Sequence, residues 1–208
     1  MRSIQSLAAG VTAFNVLPDE VATQRLTSCL HAPDWAASVL AGRPYPDRES
    51  LLATAYRFGV VLHDDDLASA LSAHPRIGER PTGTSREAAH SRAEQGGVNA
   101  DDVDLSRRLQ DGNRAYEAKF DHVFLIRAAG RSGVEILEAL TERLTNDPET
   151  ESGVVRDQLA QIAQLRLGAL LEELAPDTDP DSSANQGSGP NTHPDPDRDE
   201  NDEPQAAR

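Results

Sequence analysis

Apolar residues recur at helical spacing along nearly the whole chain, and this periodicity constrains the fold more than any other feature. One face of a segment near the middle of the chain carries residues three or four positions apart: Leu105, Leu109, Gly112, Tyr116 and Phe120. No segment shows the sustained alternation of apolar and polar residues, flanked by turn residues, that is typical of a half-buried strand. The sequence therefore predicts an all-α fold, a single-domain helical bundle.

Helix boundaries are clearest in the last third of the sequence. Ser132-Gly133-Val134-Glu135 is a capping-box pattern, and the residues expected to form the buried stripe behind it are Val134, Leu137, Leu140 and Leu144. Asp147 followed by Pro148 indicates an N-cap and a proline at the first helical position. We expect the final helix to run roughly from residue 148 to residue 174.

Arg166 interrupts the apolar face of that final helix, which also carries Val155, Leu159, Ile162 and Leu170. An arginine in such a stripe is costly unless its guanidinium is paired or reaches water. Two interpretations stay open. The side chain forms an internal salt bridge or extends past the stripe to water, or its planar fork grips a carboxylate or a carbonyl-rich ring.

The last 33 residues differ in composition from the rest of the chain. Residues 176–208 contain no Leu, Ile, Val or aromatic residue, and their nine acidic and two basic residues account for −7 of the net charge of −15. Such a segment cannot bury enough apolar surface to fold. We expect a folded domain over residues 1–175 and a disordered acidic Pro/Asp-rich tail over residues 176–208.

Composition also excludes several classes of protein. The single cysteine, Cys29, cannot form an internal disulfide, so we expect a reducing compartment and a small buried residue in preference to a catalytic thiol. No signal sequence or membrane span is evident, which predicts a cytoplasmic protein without a membrane partner. The acidic balance argues against nucleic-acid binding. The histidines other than His74 show no spacing typical of a metal site.

His74 stands directly before Pro75, and proline disfavours the helical conformation of the residue before it. We therefore expect His74 at a helix end, where an imidazole with an ordinary pKa near 6.5 can exchange protons in a cleft. A carboxylate follows downstream at Glu94. Taken singly, such a histidine is more often a surface residue, and Glu94-Gln95 is ordinarily a solvated face.

Six motifs in order resemble the OHCU decarboxylase family, over about residues 12–172. They are Phe14-Asn15, Arg43-Pro44-Tyr45, Ala73-His74-Pro75-Arg76-Ile77-Gly78-Glu79, Ser91-Arg92-Ala93-Glu94-Gln95, Asn113-Arg114-Ala115-Tyr116-Glu117-Ala118-Lys119-Phe120 and Leu165-Arg166-Leu167. OHCU is 2-oxo-4-hydroxy-4-carboxy-5-ureidoimidazoline, an intermediate of urate breakdown. Single motifs of this kind are weak evidence, whereas several in order are specific.

The resemblance implies an all-helical, cofactor-free and metal-free homodimer that decarboxylates this small molecule to (S)-allantoin. It implies catalytic roles for His74, as general acid/base, and Glu94. The substrate contacts that it implies are Pro75, Ser91, Arg92, Ala93, Glu94, Gln95, Phe124, Leu125, Ile126, Arg127, Ala128 and Arg166. Tyr116, Lys119 and Phe120 are interpreted as packing residues.

The sequence departs from the family pattern at two positions. Asp121 stands where the family commonly has glycine, which leaves the local backbone open, and His90 replaces a residue that is often bulky and apolar. Two alternative functions also stay open. One is a non-catalytic helical interaction module whose acidic tail engages a basic partner, and the other is a decarboxylase of a related ureido acid.

Overall fold

The computed structural model describes residues 4–74, 76–77 and 103–175, and these residues form helices without a strand. The helices are α1 (Ile4–Val16), α2 (Asp19–Cys29), α3 (Pro33–Ala41), α4 (Arg48–Gly59), α5 (Asp64–Ser72), α6 (Val103–Phe120), α7 (Gly133–Arg143) and α8 (Pro148–Leu174). The predicted all-α class is confirmed.

The larger of two hydrophobic clusters surrounds α8, which packs against α1, α2 and α4. Its centre contains fully buried side chains such as Phe14, Trp35 and Leu167. Helices α1 and α8 approach so closely that a Cβ at Gly10 would lie 2.1 Å from the carbonyl oxygen of Leu171. Cys29 is buried in this cluster, as the sequence predicts.

The second cluster joins α6 and α7 with the irregular segment that connects them. Leu109, Tyr116 and Leu140 are buried there together with Phe124 and Ile126 of the connection. Leu125, between those two residues, belongs to the larger cluster instead. The connection therefore runs between the two clusters and contributes side chains to both.

Helix ends follow the local capping chemistry. Ser132 and Glu135 form the predicted capping box, in which Glu135 Oε2 accepts from the Ser132 amide at 2.7 Å. Asp147 caps α8 by accepting from the amides of Glu149 and Thr150, each at 3.0 Å. Both predicted helix starts are confirmed, and so is the end of α8 at Leu174.

The predicted buried stripe of α7 is wrong at its first position. Val134 is 55% exposed, whereas Ile136 is fully buried beside Leu137 and Leu140. In a helix that begins at Gly133, Ile136 and Leu140 lie one turn apart on the face toward α6, and Val134 points away from it. Leu137 and Leu140 are buried as predicted and Leu144 is partly buried, so the stripe differs from the prediction only in that Ile136 replaces Val134.

A buried ionic network ties the second cluster to α8. Glu151 is fully buried, and its Oε1 accepts from the Tyr116 hydroxyl and from Arg143. Arg143 Nη1 also donates to the carbonyl oxygen of Leu125 at 2.7 Å, and Asn146 Nδ2 donates to Glu151 Oε2 at 2.8 Å. Burial, more than the hydrogen bond to Glu151, raises the pKa of Tyr116 well above its ordinary value.

The motifs Phe14-Asn15 and Arg43-Pro44-Tyr45 contact each other in the N-terminal half and stabilise the fold there. Asn15 and Tyr45 exchange hydrogen bonds, with Nδ2 donating to the Tyr45 carbonyl at 2.8 Å and the Tyr45 amide donating to Oδ1 at 2.9 Å. Arg43 Nη1 donates to the Phe14 and Leu17 carbonyls at the end of α1, and the Arg43–Pro44 peptide is cis. These contacts join α1 to the loop before α4.

Candidate active site

His74 lies just beyond the C-terminus of α5, as the sequence predicts. The helix ends at Ser72, and the His74 amide donates to the Leu71 carbonyl at 3.1 Å in a final turn. The imidazole is half-buried. The turn therefore holds the side chain at the edge of the bundle, outside the regular helix.

A hydrogen bond back to α5 sets the tautomer of the His74 ring. Nδ1 lies 2.7 Å from the carbonyl oxygen of Ala70, and a carbonyl oxygen can only accept. Nδ1 therefore carries the hydrogen, and Nε2 is the unprotonated nitrogen of the neutral ring. Nε2 is itself buried.

The residues after Pro75 are held against α6. Arg76 binds Glu117 through two parallel hydrogen bonds, Nε to Oε1 at 2.5 Å and Nη2 to Oε2 at 2.9 Å. The hydrogen bonds from Arg76 lower the pKa of Glu117. Asn113, one turn earlier on α6, donates from Nδ2 to the Ile77 carbonyl at 3.0 Å.

Sequence reasoning found the motif that contains Asn113 and Glu117 but gave neither residue a role. Their spacing of four residues places them on one face of α6. Their position beside an apolar stripe could have indicated a structural role for this polar pair. The local sequence does not indicate which residues, some 40 positions away, they contact. Tyr116, between them, is fully buried, which confirms its interpretation as a packing residue.

The segment from Phe124 to Ala128 is fixed by its side chains and by its main chain. Four of its five side chains are buried, Arg127 being the exception. The backbone amide of Arg127 donates to Gln158 Oε1 at 3.0 Å, and Nε of the Arg127 side chain donates to Gln161 Oε1 at 3.1 Å. Arg127 also lines a groove of about 550 Å³ that continues past Arg48 along α8.

Arg166 is buried within the bundle, with 4% of its surface exposed. It therefore does not extend past the apolar stripe to bulk water. Nη1 donates to the carbonyl oxygen of Cys29 at 3.4 Å, at the C-terminus of α2, where the helix dipole favours a cation. The side chain lines a cavity of about 50 Å³ beside Arg25 and Leu170.

The family model described as OHCU decarboxylase matches residues 15–168 of this chain. The chain belongs to the OHCU decarboxylase family. The resemblance stated from the motifs is thus confirmed.

Curated relatives support the same assignment. The chain is 30% identical over 142 residues to the 2-oxo-4-hydroxy-4-carboxy-5-ureidoimidazoline decarboxylase of Amia calva, covering 67% of this chain and 81% of that protein. It is 28% identical over 159 residues to the uric acid degradation bifunctional protein TTL of Arabidopsis thaliana, covering 75% of this chain. The chain spans about half of that longer relative, 49% of its length.

A solved structure of the family shows the same fold. A crystal structure of OHCU decarboxylase in the presence of (S)-allantoin superimposes with a TM-score of 0.59 and 24% sequence identity, covering 74% of this chain and 99% of that one. At this level of identity the likeness concerns the fold.

The departure from the OHCU decarboxylase pattern at Asp121 has a structural explanation. Asp121 adopts φ of 60°, in the left-handed region that glycine enters without strain. Its amide donates to the Glu117 carbonyl at 2.9 Å and closes the end of α6. The residue at this helix end thus has the conformation typical of glycine although it is aspartate. Aspartate tolerates the left-handed conformation better than most residues do.

Several predicted site residues lie outside the described part of the chain: Pro75, Ser91, Arg92, Ala93, Glu94 and Gln95, with His90 beside them. Among those described, the His74 ring makes a hydrogen bond to α5, and Arg166 makes one to α2. The 124–128 segment is bound to α7 and α8. Their roles as substrate contacts stay predictions.

Over residues 4–74, 76–77 and 103–175, no group of three or more His, Cys, Asp or Glu residues is arranged to hold a metal ion. Within the same ranges, no helix is both long and apolar enough to cross a membrane.

Proposed function

We propose that this chain decarboxylates OHCU to (S)-allantoin in urate degradation without a cofactor, with His74 as the general acid/base. The observation that carries this proposal is the hydrogen bond from His74 Nδ1 to the Ala70 carbonyl, which leaves Nε2 as the atom that exchanges a proton. Family membership supports the reaction, since the relative from Amia calva is named for it.

The chemistry of OHCU needs no external electron sink. Its carboxylate is attached to a carbon next to a ring C=N bond. When the bond to the carboxylate breaks, CO2 leaves and the electron pair moves into the imine, toward nitrogen. The protein must orient the scissile bond, stabilise the charge that shifts to nitrogen and deliver a proton to one face of the former imine carbon. In the doubly protonated ring, His74 Nε2–H supplies that proton and leaves the ring neutral with its hydrogen on Nδ1. A positioned general acid is typically worth about 10²–10⁴-fold in rate.

Glu94 has two possible roles at such a site, fixing the tautomer of His74 or accepting from the N–H groups of the substrate. The Ala70 carbonyl already holds Nδ1–H. We therefore propose that Glu94 accepts from ring or ureido N–H groups, with Ser91 and Gln95 as further polar contacts. This proposal separates the proton donor from the group that orients the ring.

We assign Arg166 to positioning the ring rather than to gripping the carboxylate. A grip on the carboxylate alone would stabilise the ground state more than the transition state, in which that charge disperses. Burial of the guanidinium supports a positioning role, because its hydrogen bonds are stronger away from bulk water.

His74→Asn tests the central assignment. We expect this variant to fold normally and to lose at least about 10²-fold in turnover, because the general acid is gone. The measurement incubates the protein with freshly generated OHCU and follows the circular dichroism of chiral allantoin. His63→Asn is the matched control, since His63 is exposed at the opposite end of α5.

This experiment distinguishes the proposed mechanism from three alternatives: a mechanism without His74, a different substrate, and no catalysis. Near-wild-type turnover by His74→Asn would remove His74 from the mechanism. A wild-type protein that releases CO2 from a different ureido acid, and not from OHCU, would move the substrate within the same reaction class. Absence of any turnover by the wild-type protein would favour the non-catalytic interaction module.

We also propose that residues 1–175 carry the activity and that the protein is a homodimer. The family model ends at residue 168, before the acidic tail. A chain truncated after Ala175 is expected to retain the kcat and KM of the full-length protein and to elute in light-scattering chromatography at twice the mass of one chain. A loss of turnover on truncation would give the tail a role in catalysis.

A further inference from the structure

We propose that Glu117 and Asn113 on α6 are positioning residues that hold the chain after His74 in place and so aim its imidazole. This inference rests on the proposed role of His74. Together with Arg76 and the Ile77 carbonyl, the two side chains form a polar clamp between α6 and the residues after His74.

The two contacts of the clamp are directional. A guanidinium and a carboxylate joined by two parallel hydrogen bonds are fixed in distance and in plane, unlike a single ionic contact. Arg76 and Glu117 have this arrangement, with distances of 2.5 and 2.9 Å. One turn away, the hydrogen bond from Asn113 to the Ile77 carbonyl is shielded from water, because both residues are buried.

The clamp lies close enough to His74 to control the position of its side chain. Arg76 is two residues beyond His74, so at most about 7 Å of extended chain separates their Cα atoms. On the other side, the ring is fixed by the Ala70 carbonyl at the end of α5. The imidazole is therefore held from two helices, and loss of either anchor lets it shift. Displacements of about 1 Å at a reacting group can cost about 10²-fold in rate.

The environment of Asn113 supports a role beyond packing. Only 4% of Asn113 is exposed, and its Oδ1 is buried without a hydrogen-bond partner among the described residues. A buried acceptor without a partner destabilises a fold, whereas an apolar residue of similar size would avoid that penalty. What this asparagine supplies is the donor to the Ile77 carbonyl.

The same helix provides a matched control. Asp111 and Arg114 form an exposed ion pair on α6. It joins two residues of the same helix and does not include the chain after His74. Variants of this pair therefore report the effect of removing an ion pair from α6 without releasing the clamp.

A double-mutant cycle in kcat tests the clamp. We expect Glu117→Gln and Arg76→Gln each to lower kcat by about tenfold with KM changed by less than about twofold, because the general acid is misplaced while the polar groups proposed to bind the ring, at Ser91, Glu94 and Arg166, are retained. The double variant should be no worse than either single one, since both remove the same contact. Asp111→Asn, Arg114→Gln and their double variant should keep wild-type kcat.

Two further variants separate positioning from folding. Glu117→Asp keeps the charge and shortens the reach, and its kcat should fall between those of the wild type and Glu117→Gln. Asn113→Leu removes the donor at similar volume and should lower kcat in the same way. Thermal unfolding of every variant shows which of them are folded at the assay temperature.

Nitrogen NMR of the His74 ring gives a readout that does not depend on turnover. The wild type and Asp111→Asn should both show a ring with Nδ1 protonated, and Glu117→Gln should show exchange between the two tautomers. If His74→Asn is inactive while Glu117→Gln matches Asp111→Asn in kcat and in ring spectrum, the positioning role of the clamp is disproved and the proposed function stands. If the wild type makes no allantoin, the catalytic role of the clamp is overturned together with the proposed function.

Discussion

Asp121 shows how a single residue sets the direction of the chain after α6. Its left-handed conformation and the hydrogen bond from its amide to the Glu117 carbonyl match the αL motif that ends many helices, usually with glycine. That turn starts the connection toward Phe124. The backbone conformation at Asp121 therefore sets the direction in which the chain runs to the 124–128 segment.

Paired substitutions at Asp121 test this conformation. We expect Asp121→Gly to be more stable than Asp121→Ala by about 1 kcal/mol, because alanine pays the steric penalty of positive φ and glycine does not. Urea unfolding followed by circular dichroism measures the difference. At Asp111, inside α6, the order should reverse, since glycine is less favourable than alanine there by about 1 kcal/mol. Equal stability of the two Asp121 variants would contradict the explanation.

The position of His74 at a helix end was predictable because the cause, the following proline, is local. The clamp was not predictable, because Arg76 meets Glu117 only when the chain after α5 lies against α6. Arg166 is an intermediate case. Its place in an apolar stripe left both extension to water and a paired guanidinium open, and the three-dimensional structure was needed to show that the side chain is buried and meets a carbonyl of α2.

At the scale of elements, α8 organises the bundle, and its start is fixed by Asp147. Hydrogen bonds from the Thr150 side chain and amide to this carboxylate lower its pKa. Because the pKa in the folded state lies below the unfolded value, the cap stabilises the fold at neutral pH. That contribution is lost as the pH falls through the lower, folded-state pKa.

Asp147→Ala tests the cap and its pH dependence. We expect a lower Tm than that of the wild type at pH 7, and a difference that narrows as the pH is lowered past 3.8, the ordinary pKa of the carboxyl group. Thermal unfolding at a series of pH values gives both results. Glu138→Ala, at an exposed position on α7, should change Tm little at any pH. A difference that stays constant down to pH 2 would argue against an ionised cap.

Element boundaries were predicted well where capping residues specify them, as at Ser132 and Asp147. The facing of α7 was predicted in part. Leu137 and Leu140 are buried as expected, but Val134 and Ile136 are both apolar and only the packing against α6 decides between them. Local chemistry thus fixes where a helix begins, and tertiary contacts fix how it is rotated.

For the whole molecule, the buried Arg143–Glu151 pair joins the two hydrophobic clusters. Its partners are the Tyr116 hydroxyl of α6, the Leu125 carbonyl of the connection and Asn146 before α8. Removal of one charge leaves the other buried without compensation, which typically costs about 3–5 kcal/mol, whereas replacing both by apolar residues is often tolerated.

This difference can be measured by urea unfolding. We expect Glu151→Ala to lower the free energy of unfolding by about 3–5 kcal/mol and the double variant Arg143→Met, Glu151→Met to lower it by less. Asp104→Ala removes an exposed ion pair with Arg107 and should cost no more than about 1 kcal/mol. Additive losses at Arg143 and Glu151 would show that the two residues act independently.

The division of the 124–128 segment between two clusters has a consequence for protein engineering. Phe124, Ile126 and Ala128 fill one cluster and Leu125 fills the other, so randomising these positions would mostly yield chains that fail to fold. Arg127 is the one side chain of the five that is not buried. Substitutions meant to test the proposed substrate contacts of this segment are therefore best made at Arg127, whose side chain lines a groove together with Arg48 and Gln164.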